Sequence, residues 1–227
     1  MDLNAFELLV ALAILASGDS KEVIKTIKDV ENRPSDEELE ESFKKVRDSG
    51  WTPVTILDER YPEHLKDTML PELVLFIEGD VDWVLNTLTE GRGNIVGILG
   101  REDKLPSGDE FEPALLSVNK DAVAAYLGSH VIELSAVDGS NTAYITLSAT
   151  EDDVSRDALA YLFGKICSKI IFNRAKESDA NMSALLSSLQ LGAEIYCAPT
   201  SKKSWTNSLI KSGAYLFEGI EDLSYGD

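Results

Sequence analysis

Apolar positions Leu3, Phe6, Leu9, Val10, Ala13 and Ile14 recur at the spacing of one helical face, and the pattern breaks at Ser17-Gly18-Asp19-Ser20. That break offers a cap for a second helix, which buries Val23, Ile24, Ile27 and Val30. A third is predicted from Ser35, where Ser35 and Glu38 fit a reciprocal capping box, with Leu39, Phe43 and Val46 on one face and a stop at Gly50. Residues 1–50 thus read as a small helical module whose outer faces, crowded with Glu and Lys, are solvated.

From Trp51 the period shortens. Residues 52–57 and 73–77 read as strands, separated by the turn Asp58-Glu59-Arg60-Tyr61-Pro62, and the second run ends at Gly79-Asp80. Residues 94–100 form a near-continuous apolar run between glycines, as expected of a parallel strand buried on both faces. A helical stretch is predicted over 110–127, strands over 130–135 and 143–147, a helix over 156–164, a strand over 169–173, a helix over 181–190 and a strand over 193–198. This alternation predicts an α/β fold: a Rossmann-like, mainly parallel sheet with helices on both faces, spanning 51–227, with 51–90 as a lead-in segment.

Two stretches resemble one known family. Asp58, Tyr61, Pro62, Leu65, Pro71, Leu75, Gly79 and Asp80 follow the order D-x-x-Y-P-x-x-L, then Pro, then an apolar strand ending in Gly-Asp. Thr206-Asn207-Ser208-Leu209-Ile210-Lys211-Ser212-Gly213-Ala214, after the strand-like 193–199, is similar to a closing signature in which Asn and Leu-Ile precede Gly-Ala. Both belong to the DNA-processing protein A (DprA/Smf) family, within the Rossmann-like SLOG superfamily. The resemblance covers about 52–223, with divergence in the loops that suits a phage-encoded relative. It implies a dimeric, non-catalytic protein that binds single-stranded DNA and cooperates with a recombinase. Read without it, Asn207 is free to bond a backbone or a ligand.

The resemblance also implies where a ligand sits. Gly100-Arg101 stands where the family has Gly-Ser-Arg; Ser135, in 135–140, occupies the place of a glycine-containing loop; Ser178, Asn181 and Ser183 stand near a Ser-Gly-Ser loop that here carries Asp179. Arg174, Asn207 and Lys211 complete the candidate set. Ser178, Asn181 and Ser183 are equally explained as helix N-cap groups.

Charge weighs on what the ligand is. The 227 residues hold 40 acidic and 21 basic side chains, a formal net charge of -19, which repels a polyanion at long range unless positive charge is concentrated locally. Residues 154–212 carry eight basic side chains (Arg156, Lys165, Lys169, Arg174, Lys176, Lys202, Lys203 and Lys211) against four acidic ones, a local excess of four. Such a window suits a compact anion, because distant charge is screened beyond about 8 to 10 Å. The leading expectation is therefore a non-catalytic binder that senses or sequesters a small nucleotide-derived anion. The alternatives are a single-stranded-DNA-binding recombination mediator and an acidic protein-interaction module.

Catalysis, cofactors and metals find no motif. His64 and His130 lack triad partners, and neither a Walker loop nor a complete G-x-G-x-x-G is present. Cys167 and Cys197 form no CxxC pair and read as buried thiols. The longest apolar run, 8–16, is too short to span a bilayer, and Asp2 and Glu7 sit where a secretory signal needs Lys or Arg, so a cytoplasmic protein is expected.

Overall fold

The computed structural model describes residues 3–29, 31–100, 108–150 and 154–223. Three helices open it: α1 (Ala5–Leu15), α2 (Ser20–Lys28) and α3 (Asp36–Ser49). The box at α3 forms as expected, with the Ser35 amide donating to Glu38 Oε2 at 2.8 Å, the Glu38 amide donating to Ser35 Oγ at 3.3 Å, and Gly50 closing the helix at φ 80°. Val10, Ala13, Ile14 and Val46 from this bundle pack against Trp51, Val74 and Phe76.

Strands β1 (Thr52–Thr55), β2 (Val74–Glu78), β3 (Ile95–Gly100), β4 (Val123–Leu127), β5 (Ile132–Ala136), β6 (Thr142–Thr146), β7 (Lys169–Asn173), β8 (Glu194–Cys197) and β9 (Tyr215–Leu216) join one sheet in the order β1-β2-β6-β5-β4-β3-β7-β8-β9. The α/β class holds, and the sheet is mixed. β4, β3, β7, β8 and β9 run parallel, whereas β4-β5, β5-β6, β6-β2 and β2-β1 are antiparallel. Connection length explains the β4-β5 and β5-β6 reversals. The Gly128 amide closes the β4-β5 turn on the Val131 carbonyl at 2.9 Å, and a link that short reverses the chain, while a parallel return needs a dozen residues or more.

The remaining helices are α4 (Glu63–Lys66), α5 (Val81–Thr89), α6 (Gly108–Val118), α7 (Arg156–Ile166), α8 (Asp179–Gln190) and α9 (Trp205–Lys211). The helix predicted over 110–127 stops at Val118; Asn119 Oδ1 accepts from the Asp121 amide at 3.0 Å in the turn, and 123–127 extends as β4. α5, within the predicted lead-in, is capped by Asp80, whose side chain accepts from the Trp83 amide at 3.0 Å. On one sheet face α5, α7 and α8 bury Leu99, Ile170, Phe172 and Ile195; on the other, Phe111 and Leu115 of α6 join Val96, Ile171, Phe217 and Ile220.

Close backbone approach fixes these layers. A Cβ on Gly97 would lie 2.6 Å from Cys167 Sγ and 2.7 Å from Phe163 Cζ, so α7 rests directly on β3. A Cβ on Gly164 would overlap Ser187 Oγ and the Ala184 carbonyl oxygen, so α7 and α8 touch through small residues. Both cysteines are buried, and burial pushes the Cys197 thiol up to about 12 and the Cys167 thiol higher.

The 58–73 segment is riveted to α7. Tyr61 Oη donates to the Glu72 carbonyl at 2.6 Å, and Lys165 Nζ donates to both Glu72 carboxylate oxygens at 2.9 Å, to the Leu70 carbonyl at 2.6 Å and to Thr68 Oγ1 at 3.1 Å. The Lys165 side chain is fully buried, and its ammonium also lies 4.5 Å from the Tyr161 ring centroid. Desolvation pushes Glu72 up and Lys165 down, and their mutual attraction offsets only part of each shift.

Candidate functional site

The chain lays β4 on one side of β3 and β7 on the other, so the strand order reverses between β3 and β7. A crevice forms at such a switch point beyond the carboxyl ends of the strands, where α/β folds take their ligands. Here β3 ends at Gly100, in register with Asn173 at the end of β7. Gly100 has φ 128°, and a Cβ there would overlap the Asn173 carbonyl oxygen, so this tip admits only glycine. Gly100→Ala is expected to cost about 1–3 kcal/mol in backbone strain alone, read as a lowered midpoint in urea unfolding.

The next residue of β7's loop departs from ordinary geometry twice. Arg174 has φ 52°, one of two non-glycine residues with positive φ among those described, and its Nε is buried without a hydrogen-bond partner. Left-handed backbone and an unsatisfied buried donor at a switch point single out Arg174 as a candidate contact. The loop then folds onto α8: Asn181 Nδ2 donates to the Lys176 carbonyl at 2.7 Å, and Ser178 Oγ accepts from the Asn181 amide at 3.2 Å. Ser178 and Asn181 act as the N-cap pair, and Asp179 adds a carboxylate in the first turn, where the helix dipole favours it.

The adjacent loop follows β8. Asn207 Oδ1 accepts from the Thr200 amide at 3.0 Å, and its Nδ2 donates to the carbonyls of Thr200 and Lys202, each at 2.8 Å. Thr200 Oγ1 donates its one hydrogen to the Lys202 carbonyl at 2.8 Å and lies 2.9 Å from Ser204 Oγ, whose hydroxyl can donate back to it, and Ser204 Oγ accepts the Asn207 amide at 3.2 Å. Lys202 and Lys203 stand exposed on this bonded loop. Since β7 and β8 are parallel neighbours, their C-terminal loops bring Arg174, Lys176, Lys202 and Lys203 to one edge of the sheet.

Comparison with solved structures decides the fold. DNA processing protein A from Streptococcus pneumoniae superposes with a TM-score of 0.57 at 14% identity, covering 98% of each chain. The fold is that of DNA processing protein A. The Helicobacter pylori DNA processing protein A, described for a single-stranded DNA binding mode, superposes with a TM-score of 0.52 at 16% identity, over 77% of this chain and 95% of that one. No protein-family model and no curated protein matches the chain.

On the DNA processing protein A fold, the residues expected at the ligand site separate. Gly100, Arg174, Ser178, Asn181 and Asn207 lie in or beside the strand-tip loops; Arg101 lies outside the described residues. Ser135 does not join them. It is a buried residue of antiparallel β5, opposite Ala124 near the start of β4, because the short β4-β5 hairpin reverses the strand. Lys211 ends α9 about 9 Å down the helix from Trp205, on the way back from the tips. Ser183 lines a different cavity of about 390 Å³, shared with Ser20, Lys21, Ser155 and Tyr161.

The basic window divides in the same way. Lys165 is consumed by Glu72, and Lys169, about 13 Å along β7 from its tip, pairs with Glu194 at 2.5 Å. Arg156 donates to the Gly128 carbonyl at 3.1 Å, at the end of β4. Lys176, Lys202 and Lys203 were legible only as members of the window; their signal is their place in the loops after β7 and β8. Beside α6 a cleft of about 710 Å³ is lined by Glu112, Glu133 and Asp138 with Tyr126 and Val131, and burial together with Glu112 holds the Glu133 carboxyl above its usual range. The acidic lining of that cleft disfavours an anionic ligand there.

Proposed function

We propose that the chain is a non-catalytic binder of single-stranded DNA, held across the loops after β7 and β8. The observation that carries this reading is the convergence of Arg174, Lys176, Lys202 and Lys203 on one sheet edge, on a fold shared with a protein described as binding single-stranded DNA. A net charge of -19 opposes a polyanion at long range, and Glu177 and Asp179 stand in the β7 loop itself, so binding rests on a few local cations and weakens as salt rises. A compact nucleotide anion in the crevice is the second reading, favoured by the unpartnered Arg174 Nε beside Gly100.

Fluorescence anisotropy with a labelled oligothymidylate across a salt series tests the first. Four phosphate contacts give a log-log slope of about -2.8, at roughly 0.7 per contact. Replacing Arg174, Lys176, Lys202 and Lys203 together by alanine is expected to abolish that slope, whereas Lys211→Ala leaves it unchanged. No binding at low salt, with calorimetric heat from mononucleotides or cyclic nucleotides, would transfer the site to the second reading.

A further inference from the structure

The loop after β8 is exposed at Ser201, Lys202 and Lys203, yet its backbone is bonded as tightly as a buried turn. One side chain does most of this. Both donors and the acceptor of the Asn207 amide are engaged, to Thr200 N, Thr200 O and Lys202 O, so Asn207 has no hydrogen left to offer a ligand. Thr200 Oγ1 reaches the same Lys202 carbonyl and ties it to Ser204, the cap of α9. The Lys202 carbonyl thus accepts two bonds from two different side chains, and the backbone that carries the lysine pair is held at both ends.

We infer that Asn207 is a positioning residue for the nucleic-acid site: it fixes the 200–204 loop so that Lys202 and Lys203 meet phosphates without first paying to order their backbone. This rests on the single-stranded DNA reading and assigns to that site a part that touches no DNA. The physical basis is preorganisation. A loose loop must lose backbone freedom on binding, about 1–2 kcal/mol per residue fixed, and a loop already closed by five hydrogen bonds has lost it on folding. A merely structural asparagine would support α9 and the β8 tip and leave the number of phosphates contacted unchanged.

The test is a double-mutant cycle read by anisotropy with an oligothymidylate over a salt series, alongside thermal melting of each variant. Asn207→Ala is expected to lower the salt slope by about 1.4, as the pair Lys202→Ala/Lys203→Ala does, which is about 25-fold in affinity at 0.1 M salt relative to a 1 M reference. Added to that lysine pair, Asn207→Ala should weaken binding no further. Thr200→Val, nearly isosteric, removes only the hydroxyl bonds to Lys202 and Ser204; it should shift the slope in the same direction and keeps the test open if Asn207→Ala fails to fold. A lower melting temperature with both the wild-type affinity and the wild-type slope in the two variants overturns the inference and leaves the DNA reading standing, as does an effect fully additive with the lysines. A wild-type protein that binds no oligonucleotide overturns both.

Discussion

Replacing Glu72 by alanine is expected to destabilise the protein by about 3–5 kcal/mol, the cost of leaving a buried charge without its partner. Lys165 is the charge in question: its side chain has no exposed surface, and two of its four hydrogen-bond acceptors are the Glu72 carboxylate oxygens. The Leu70 carbonyl and Thr68 hydroxyl that remain are neutral acceptors and do not compensate an ammonium. Replacing both members, as Glu72→Leu with Lys165→Met, should recover most of that loss, because burial opposes ionisation of each partner more than their attraction offsets. Urea unfolding of the two single variants and the double variant measures this directly. A Glu72→Ala variant as stable as wild type would mean that Lys165 finds water instead.

Gly164→Ala should cost up to about 2 kcal/mol even though alanine is the better helix former. The new methyl overlaps the Ala184 carbonyl oxygen and Ser187 Oγ across the α7-α8 contact, and backbone cannot yield as a flexible side chain does. Overpacking of about 1–3 kcal/mol thus outweighs a propensity gain of about 1. Restoring room with Ser187→Ala should recover only part of the loss, since the carbonyl stays. Thermal or urea unfolding checks it, and an unchanged midpoint would show that α7 and α8 slide apart at little cost.

Local signals survived folding and non-local ones did not. Ser35 and Glu38 announce α3 because both halves of the capping box lie within one turn. Residues 94–100 announce β3 because a strand covered on both faces is apolar throughout. Residues 123–127 misled because Ala124 and Ala125 favour a helix in isolation, while between β3 and β5 small buried side chains fit. Lys165 reads as one of the eight cations of the 154–212 window; its burial is decided by Glu72, 93 positions earlier. At the site, the cap at Ser178 was legible, and the left-handed backbone of Arg174 was not, since nothing in its residue type asks for it. Asn207 was legible as an amide with a choice, and the choice fell on the Thr200 and Lys202 backbone.

The two margins of the sheet differ. β1 carries Pro53, which has no amide hydrogen to give a neighbouring chain, whereas β9 leaves Tyr215 and Leu216 open to solvent, with the Tyr215 ring stacked on Tyr196 at 5.2 Å. Among the described residues, strand addition by a second chain is therefore favoured at the β9 border over the β1 border.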